Sequence, residues 1–135
     1  MYQVFVVSDG TGRTARQALN AALTQFPGTE IDVAVFPDIN SQAELIEIVA
    51  RAQTCGALIV HTLVTDSLRE YIIRECHKKN VETIDLMGPL LSRLSNQFIH
   101  EPSQQPGLYN KLNKDYFRRI DAMQFAFNHD DGQRT

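Results

Sequence analysis

The chain has 135 residues, enough for one compact domain that buries a core without disulfides or a structural metal. Hydrophobic residues make up 43% and charged residues 21%, with a net charge of −3, a balance that excludes disorder, collagen and broad nucleic-acid binding. No apolar run approaches the roughly 20 residues that cross a bilayer, and Met1-Tyr2-Gln3-Val4 lacks the basic lead of a signal peptide. A cytoplasmic protein with no membrane and no nucleic-acid partner is expected.

Short apolar runs alternate with helical patterns along the chain. Val4 to Val7 is continuous in the manner of a strand buried on both faces. After the polar loop Ser8 to Thr14, a helical face recurs through Ala15, Ala18, Leu19, Ala22, Leu23 and Phe26 until Pro27-Gly28 stops it. A second strand spans about Ile31 to Phe36. Ser41 to Glu44 forms a capping box for a helix that turns Leu45, Ile48, Val49 and Ala52 inward and ends at Gly56. Ala57 to Val60 is a third strand. A second capping box, Ser67 to Glu70, opens a helix through Leu68, Ile72 and Cys76. Val81 to Leu86 is a fourth strand, and Gly88-Pro89 leads into a short helix with Leu90, Leu91 and Leu94. Four β-α units with right-handed crossovers give an α/β fold of flavodoxin or Rossmann type: a four-stranded parallel sheet in the order 2-1-3-4, flanked by helices. This domain is expected to occupy residues 1–97.

Residues 98–135 differ in character. Pro102 to Pro106 reads as a linker, and a C-terminal helix from about Tyr109 to Phe127 carries Leu112, Tyr116, Ile120, Met123 and Phe127 on one stripe. Phe117 and Phe125 lie off that stripe, so the helix calls for a second partner surface, either a further domain or a second copy in a homodimer. The polar tail from His129 to Thr135 reads as a cut between domains. Cys55 and Cys76 sit in no metal or redox spacing and are expected to be reduced and largely buried.

The loop Ser8-Asp9-Gly10-Thr11-Gly12-Arg13-Thr14 lies where open α/β folds bind ligands, between the first strand and its helix. Its glycines admit close backbone approach, the helix N-terminus favours negative charge, and Thr11, Arg13 and Thr14 add donors. Either a phosphate-binding cradle or a helix-capping turn satisfies this pattern. The loop lacks the spacing and lysine of a Walker A motif. Gly10-x-Gly12-x-x-Ala15, with Asp38 beyond, fits a relaxed dinucleotide fingerprint, and Thr11-Gly12-Arg13-Thr14 resembles the phosphate loop of flavodoxins. His61, at the end of the third strand, is a candidate for phosphate binding or proton transfer, or else a hydrogen-bonded histidine at a strand end. Thr62, Thr65, Asp66 and Arg69 pose the same choice, and Asp85 reads as a helix cap or loop anchor. His129-Asp130-Asp131 reads as solvated linker and not as a metal site, and His77 and His100 as surface residues. Lys111, Lys114, Arg118 and Arg119 form a basic band, either solvated or docking an acidic partner. No nucleophile–base pair here demands a reaction.

Over essentially its whole length the chain resembles the bacterial and plastid regulators of pyruvate,phosphate dikinase and phosphoenolpyruvate synthase. The pieces that carry the resemblance are Val7 to Ala15, His61-Thr62-Leu63-Val64 with Arg69, Asp85 to Leu91, Pro106-Gly107-Leu108, Tyr116 to Ala122 and Phe125 to Gly132. The resemblance implies a bifunctional enzyme. It phosphorylates a threonine of the dikinase or synthase with ADP as donor, and removes that phosphate with inorganic phosphate, releasing pyrophosphate. It also implies a nucleotide-binding domain beyond Thr135, so that ADP and phosphate are expected for the full-length protein and no cofactor for this chain. The family more often has S-D-S-T-G-E-T in the first loop, where this chain has Gly10 and Arg13; an arginine there favours anions more strongly. Ser8, Asp9, Gly10, Thr11, Gly12, Arg13, Thr14, His61 and Arg69 are the expected phosphate or ligand residues. Two other classes stay open beside this one: a stand-alone flavodoxin-like phosphate- or nucleotide-binding module, and a protein-interaction domain.

Overall fold

The computed structural model describes residues 1–99 and 101–106. Four parallel strands, β1 (Tyr2–Ser8), β2 (Ile31–Phe36), β3 (Leu58–Thr62) and β4 (Thr83–Asp85), lie in the order β2-β1-β3-β4. Helices α1 (Arg13–Leu23), α2 (Gln42–Cys55), α3 (Asp66–Lys79) and α4 (Gly88–Phe98) follow each strand in turn. The architecture and strand order expected from the alternation are those observed.

Side chains alternate across the central strands and divide the core in two. Phe5, Val7, Ile59 and Leu63 face α2 and α3, meeting Leu45, Ile48, Val49 and Ile72. Val4, Val6 and Val60 face the other way, onto Ala15 of α1. The register sets Ser8 opposite Thr62 and Val7 opposite His61, which in turn pairs with Asp85 of β4. Ser8 and Thr62 therefore share the α1 side, while His61 and Asp85 share the α3 side. That division controls everything at the rim.

The first capping box is present: Ser41 Oγ accepts from the Glu44 N–H, and Glu44 accepts from the Ser41 N–H. The second is not. Helix α3 begins at Asp66 with Thr65 as its N-cap; the Thr65 side chain makes no capping bond, and its hydroxyl donates to Asp9. Helix α1 ends at Leu23, which leaves Phe26 in the following turn and exposed rather than on the inward face. Cys76 is buried as expected, but Cys55 lies exposed at the last position of α2. The expected helix from Tyr109 to Phe127, its basic band, His100 and His129-Asp130-Asp131 lie outside the described residues.

Candidate functional site

The rim is built around Asp9. Its carboxylate is buried, and Oδ2 accepts from the Val64 N–H at 3.0 Å, the Thr65 N–H at 3.2 Å and the Thr65 hydroxyl at 3.1 Å. One side chain thereby ties the β1–α1 loop to the β3–α3 loop more than fifty residues away. The β2–α2 loop is tied in by backbone: Asp38 N–H donates to the Gly10 carbonyl at 2.8 Å and Ile39 N–H to that of Ser8 at 3.0 Å. Asp38, considered as a ribose partner, enters through this amide and is not among the residues that line the cavity described below.

Within the loop, Ser8 Oγ accepts from the Gly10 N–H at 2.9 Å, and Thr11 Oγ1 from the Arg13 N–H at 3.2 Å. Gly12 is the N-cap of α1 in the left-handed region, with φ of +84°. A Cβ there would stand 2.9 Å from Val35 Cγ1, so glycine is demanded twice, by backbone sign and by space. The helix it opens has no acidic residue in its first turn, and its cap makes no side-chain bond. The N–H groups of Thr14 and Ala15 have no intrahelical acceptor by the geometry of an α-helix start. Such an end favours an anion.

A cavity of about 560 Å³ opens over this loop. One wall is Ser8 to Thr14 with Gln17 and Thr62, and an apolar wall comes from Val64, Met87 and Leu91. Residues Pro102 to Gln105 cross the far side. They are held there by Gln104, whose side-chain oxygen accepts from the Asp66 N–H at 3.0 Å and so supplies α3 with the cap that Thr65 does not. None of the described lining residues is aromatic.

The seven loop residues expected to bind a ligand all line this cavity; His61 and Arg69 do not. These two form a second cluster beneath the α3 side. His61 is fully buried, and neither ring nitrogen has a hydrogen-bond partner; Nδ1 stands 4.0 Å from Asp85 Oδ1. It is thus neither at an open rim nor a hydrogen-bonded strand-end histidine. Burial pushes its pKa from 6.5 down to about 4; nearby Asp85 raises it and Arg69 lowers it, and burial prevails. The ring is neutral at pH 7. Arg69 pairs with Asp66, donates to the Leu63 carbonyl at 3.2 Å, and places Nε 3.8 Å from Asp85 Oδ2. Asp85 accepts from the Gly88 N–H at 2.7 Å, the helix-capping role its position suggested. The cavity's third wall, Pro102 to Gln105, escaped sequence reasoning because this stretch reads only as linker.

Residues 4–135 match the family described as kinase/pyrophosphorylase. The chain belongs to that family. Among curated relatives, a protein of Shouchella clausii is 36% identical over 130 residues, covering 96% of this chain and 48% of its own length. Counterparts from Halalkalibacterium halodurans and Geobacillus thermodenitrificans are each 37% identical over 130 residues, with 48% and 49% of their lengths covered. All three bear the name "Putative pyruvate, phosphate dikinase regulatory protein". The chain spans about half the length of these relatives. The regulator family suggested by the loop, the His61 segment and the Asp85 segment is therefore the right one.

Proposed function

We propose that the chain is the N-terminal part of a cytoplasmic bifunctional regulator acting on a threonine of pyruvate,phosphate dikinase or phosphoenolpyruvate synthase. One activity transfers phosphate to that threonine from ADP; the other removes it with inorganic phosphate and forms pyrophosphate. Residues 98–135 lead towards the nucleotide-binding domain that completes the enzyme.

The observation that carries this reading is the cavity at the head of α1. It combines the start of helix α1, the residues Thr11 and Thr14 and the cation Arg13 on a loop that Asp9 fixes in place. Phosphoryl transfer depends mainly on positioning and on neutralising charge, and this arrangement suits both. The loop holds no Walker lysine, so the donor nucleotide is assigned to the missing half.

The test is an assay of the full-length protein with dikinase or synthase, ADP and inorganic phosphate, following the phosphothreonine by mass spectrometry and the pyrophosphate released. Both activities are expected in the full-length protein and neither in these 135 residues alone. Arg13→Ala is expected to lower both by roughly 100- to 1000-fold, as for loss of one charge-stabilising donor. Full activity from the 135-residue chain, or an Arg13→Ala enzyme equal to wild type, refutes the assignment.

A further inference from the structure

We propose that Asp85 is a latch with two seats: here it caps helix α4 through Gly88, and in a second arrangement its carboxylate turns to His61 and frees the α4 wall of the cavity. This device lies within the chain's own side chains and stands apart from the regulator reading above.

Its first support is a buried group without a partner. His61 is fully buried, and neither ring nitrogen meets a hydrogen-bond partner among the described residues. Such a group is costly in a protein interior and calls for a physical account. Asp85 Oδ1 stands 4.0 Å from His61 Nδ1, about 1 Å beyond hydrogen-bond reach. The same oxygen accepts from the Gly88 N–H at 2.7 Å. On its other side, Oδ2 lies 3.8 Å from Arg69 Nε, again too far for a bond. His61 is fixed on β3 inside the core, and Arg69 is held by Asp66 and the Leu63 carbonyl. The carboxylate is therefore the group that turns.

The two seats exchange one hydrogen bond for one. Turning to His61 gives the Nδ1–H of the neutral ring an acceptor, and leaves the Gly88 N–H to water at a half-buried helix start. A balance of that kind populates the second seat at roughly 0.1–10%. Gly88 is what admits the first seat, since a Cβ there would overlap the Asp85 carboxylate. Gly88 also opens α4, a helix none of whose residues is buried and whose cap residue Met87 makes no side-chain capping bond. The Asp85 bond, with the Leu86 N–H on the His61 carbonyl at 3.1 Å, ties that head to the sheet. Met87 and Leu91 of the same head form the apolar wall of the cavity with Val64. Moving Asp85 loosens this wall, while the Ser8–Thr14 loop stays anchored through Asp9.

Charge supplies a readout. Burial holds the His61 pKa down at about 4, with Asp85 of β4 raising it and Arg69 of α3, itself paired with Asp66, lowering it. A carboxylate bonded to the ring favours the protonated form, so the second seat raises the titration midpoint by roughly one to three pH units.

The experiment is NMR of the full-length protein labelled with 15N at histidine and 13C at the methionine methyls, with His61→Gln and Met87→Leu for assignment. Gly88→Ala evicts the carboxylate from its first seat: His61 becomes the Nδ1–H tautomer, its midpoint rises from near 4, and the Met87 methyl shifts. Adding Asp85→Asn to Gly88→Ala cancels the rise, which a purely structural effect of the alanine would not do. Asp85→Glu, whose extra methylene spans the gap to Nδ1, reaches the same seat by a second route if Gly88→Ala does not fold. In wild type, relaxation dispersion at the Met87 methyl shows exchange towards the Gly88→Ala position. An unchanged tautomer and midpoint in both Gly88→Ala and Asp85→Glu overturns the latch. A raised midpoint with an unmoved Met87 methyl, or a wild-type methyl without exchange, overturns it as well. None of these results bears on the regulator reading.

Discussion

Replacing Asp9, expected from the sequence to be a ligand residue, distinguishes that role from an anchor. In the structure its Oδ2 collects three donors from Val64 and Thr65. Asp9→Ala leaves all three without that acceptor. Hydrogen bonds to a charged group contribute about 1.5–3 kcal/mol each, but these three share one oxygen and the freed loop can relax towards water. The expected loss is therefore about 3 kcal/mol in total. Asp9→Asn keeps a neutral oxygen in place and is expected to lose about half as much. For a domain near 100 residues, 1 kcal/mol corresponds to roughly 4 °C, so Asp9→Ala should melt about 12 °C below wild type. Urea unfolding followed by far-UV circular dichroism gives the free energy directly, with a shifted midpoint and an unchanged slope. An Asp9→Ala protein within about 0.5 kcal/mol of wild type, the scatter of ordinary surface substitutions, refutes the anchoring argument and returns Asp9 to the ligand set.

Gly12→Ala should cost about 2 kcal/mol or more, since alanine pays 1–2 kcal/mol for the left-handed backbone and its Cβ meets Val35; stability equal to wild type would show that the loop adopts another path. Ser41→Ala removes one half of the capping box and should lower stability by about 1 kcal/mol, read from the same urea midpoint, with Ser67→Ala near zero because no second box exists. His61 predicts an acid limb. Its folded pKa of about 4 lies below the unfolded 6.5, so between these values the unfolded chain binds the extra proton and stability rises with pH. The full effect is roughly 3 kcal/mol, complete above pH 6.5 and lost as pH falls towards 4. His61→Phe should flatten that limb in a pH series of urea midpoints; an unchanged slope would show that His61 is protonated in the native state.

Much of this protein follows from local chemistry. The apolar runs at Val4–Val7 and Ala57–Val60, the Ser41–Glu44 box and the stop at Gly56 each depend on nearby residues, and each was legible without a structure. Strand order followed too, because right-handed crossovers leave few arrangements for four β-α units. The Ser8–Thr14 loop, which lines the cavity, stood out for the same reason: glycines, hydroxyls and a helix start stand together in sequence.

What the sequence could not settle were choices between partners distant in the chain. Ser67–Glu70 has the spacing of a capping box, yet the helix starts earlier, at Asp66, with Thr65 as its N-cap and bonded to Asp9 of the β1–α1 loop. His61 and Thr62 are adjacent in sequence and looked like members of one rim. Strand alternation turns Thr62 to the cavity and His61 to the Asp85–Arg69 cluster on the opposite face. Gln104 in a turn-rich stretch carries no signal of its own, and becomes the cap of α3 and a wall of the cavity only once the chain folds back. The sequence by itself determined the elements, their order and the chemistry of the first loop, because those are set by neighbours within a few residues. Tertiary structure alone decided which side chains meet across the sheet, since that depends on register and on which donor reaches a given oxygen first.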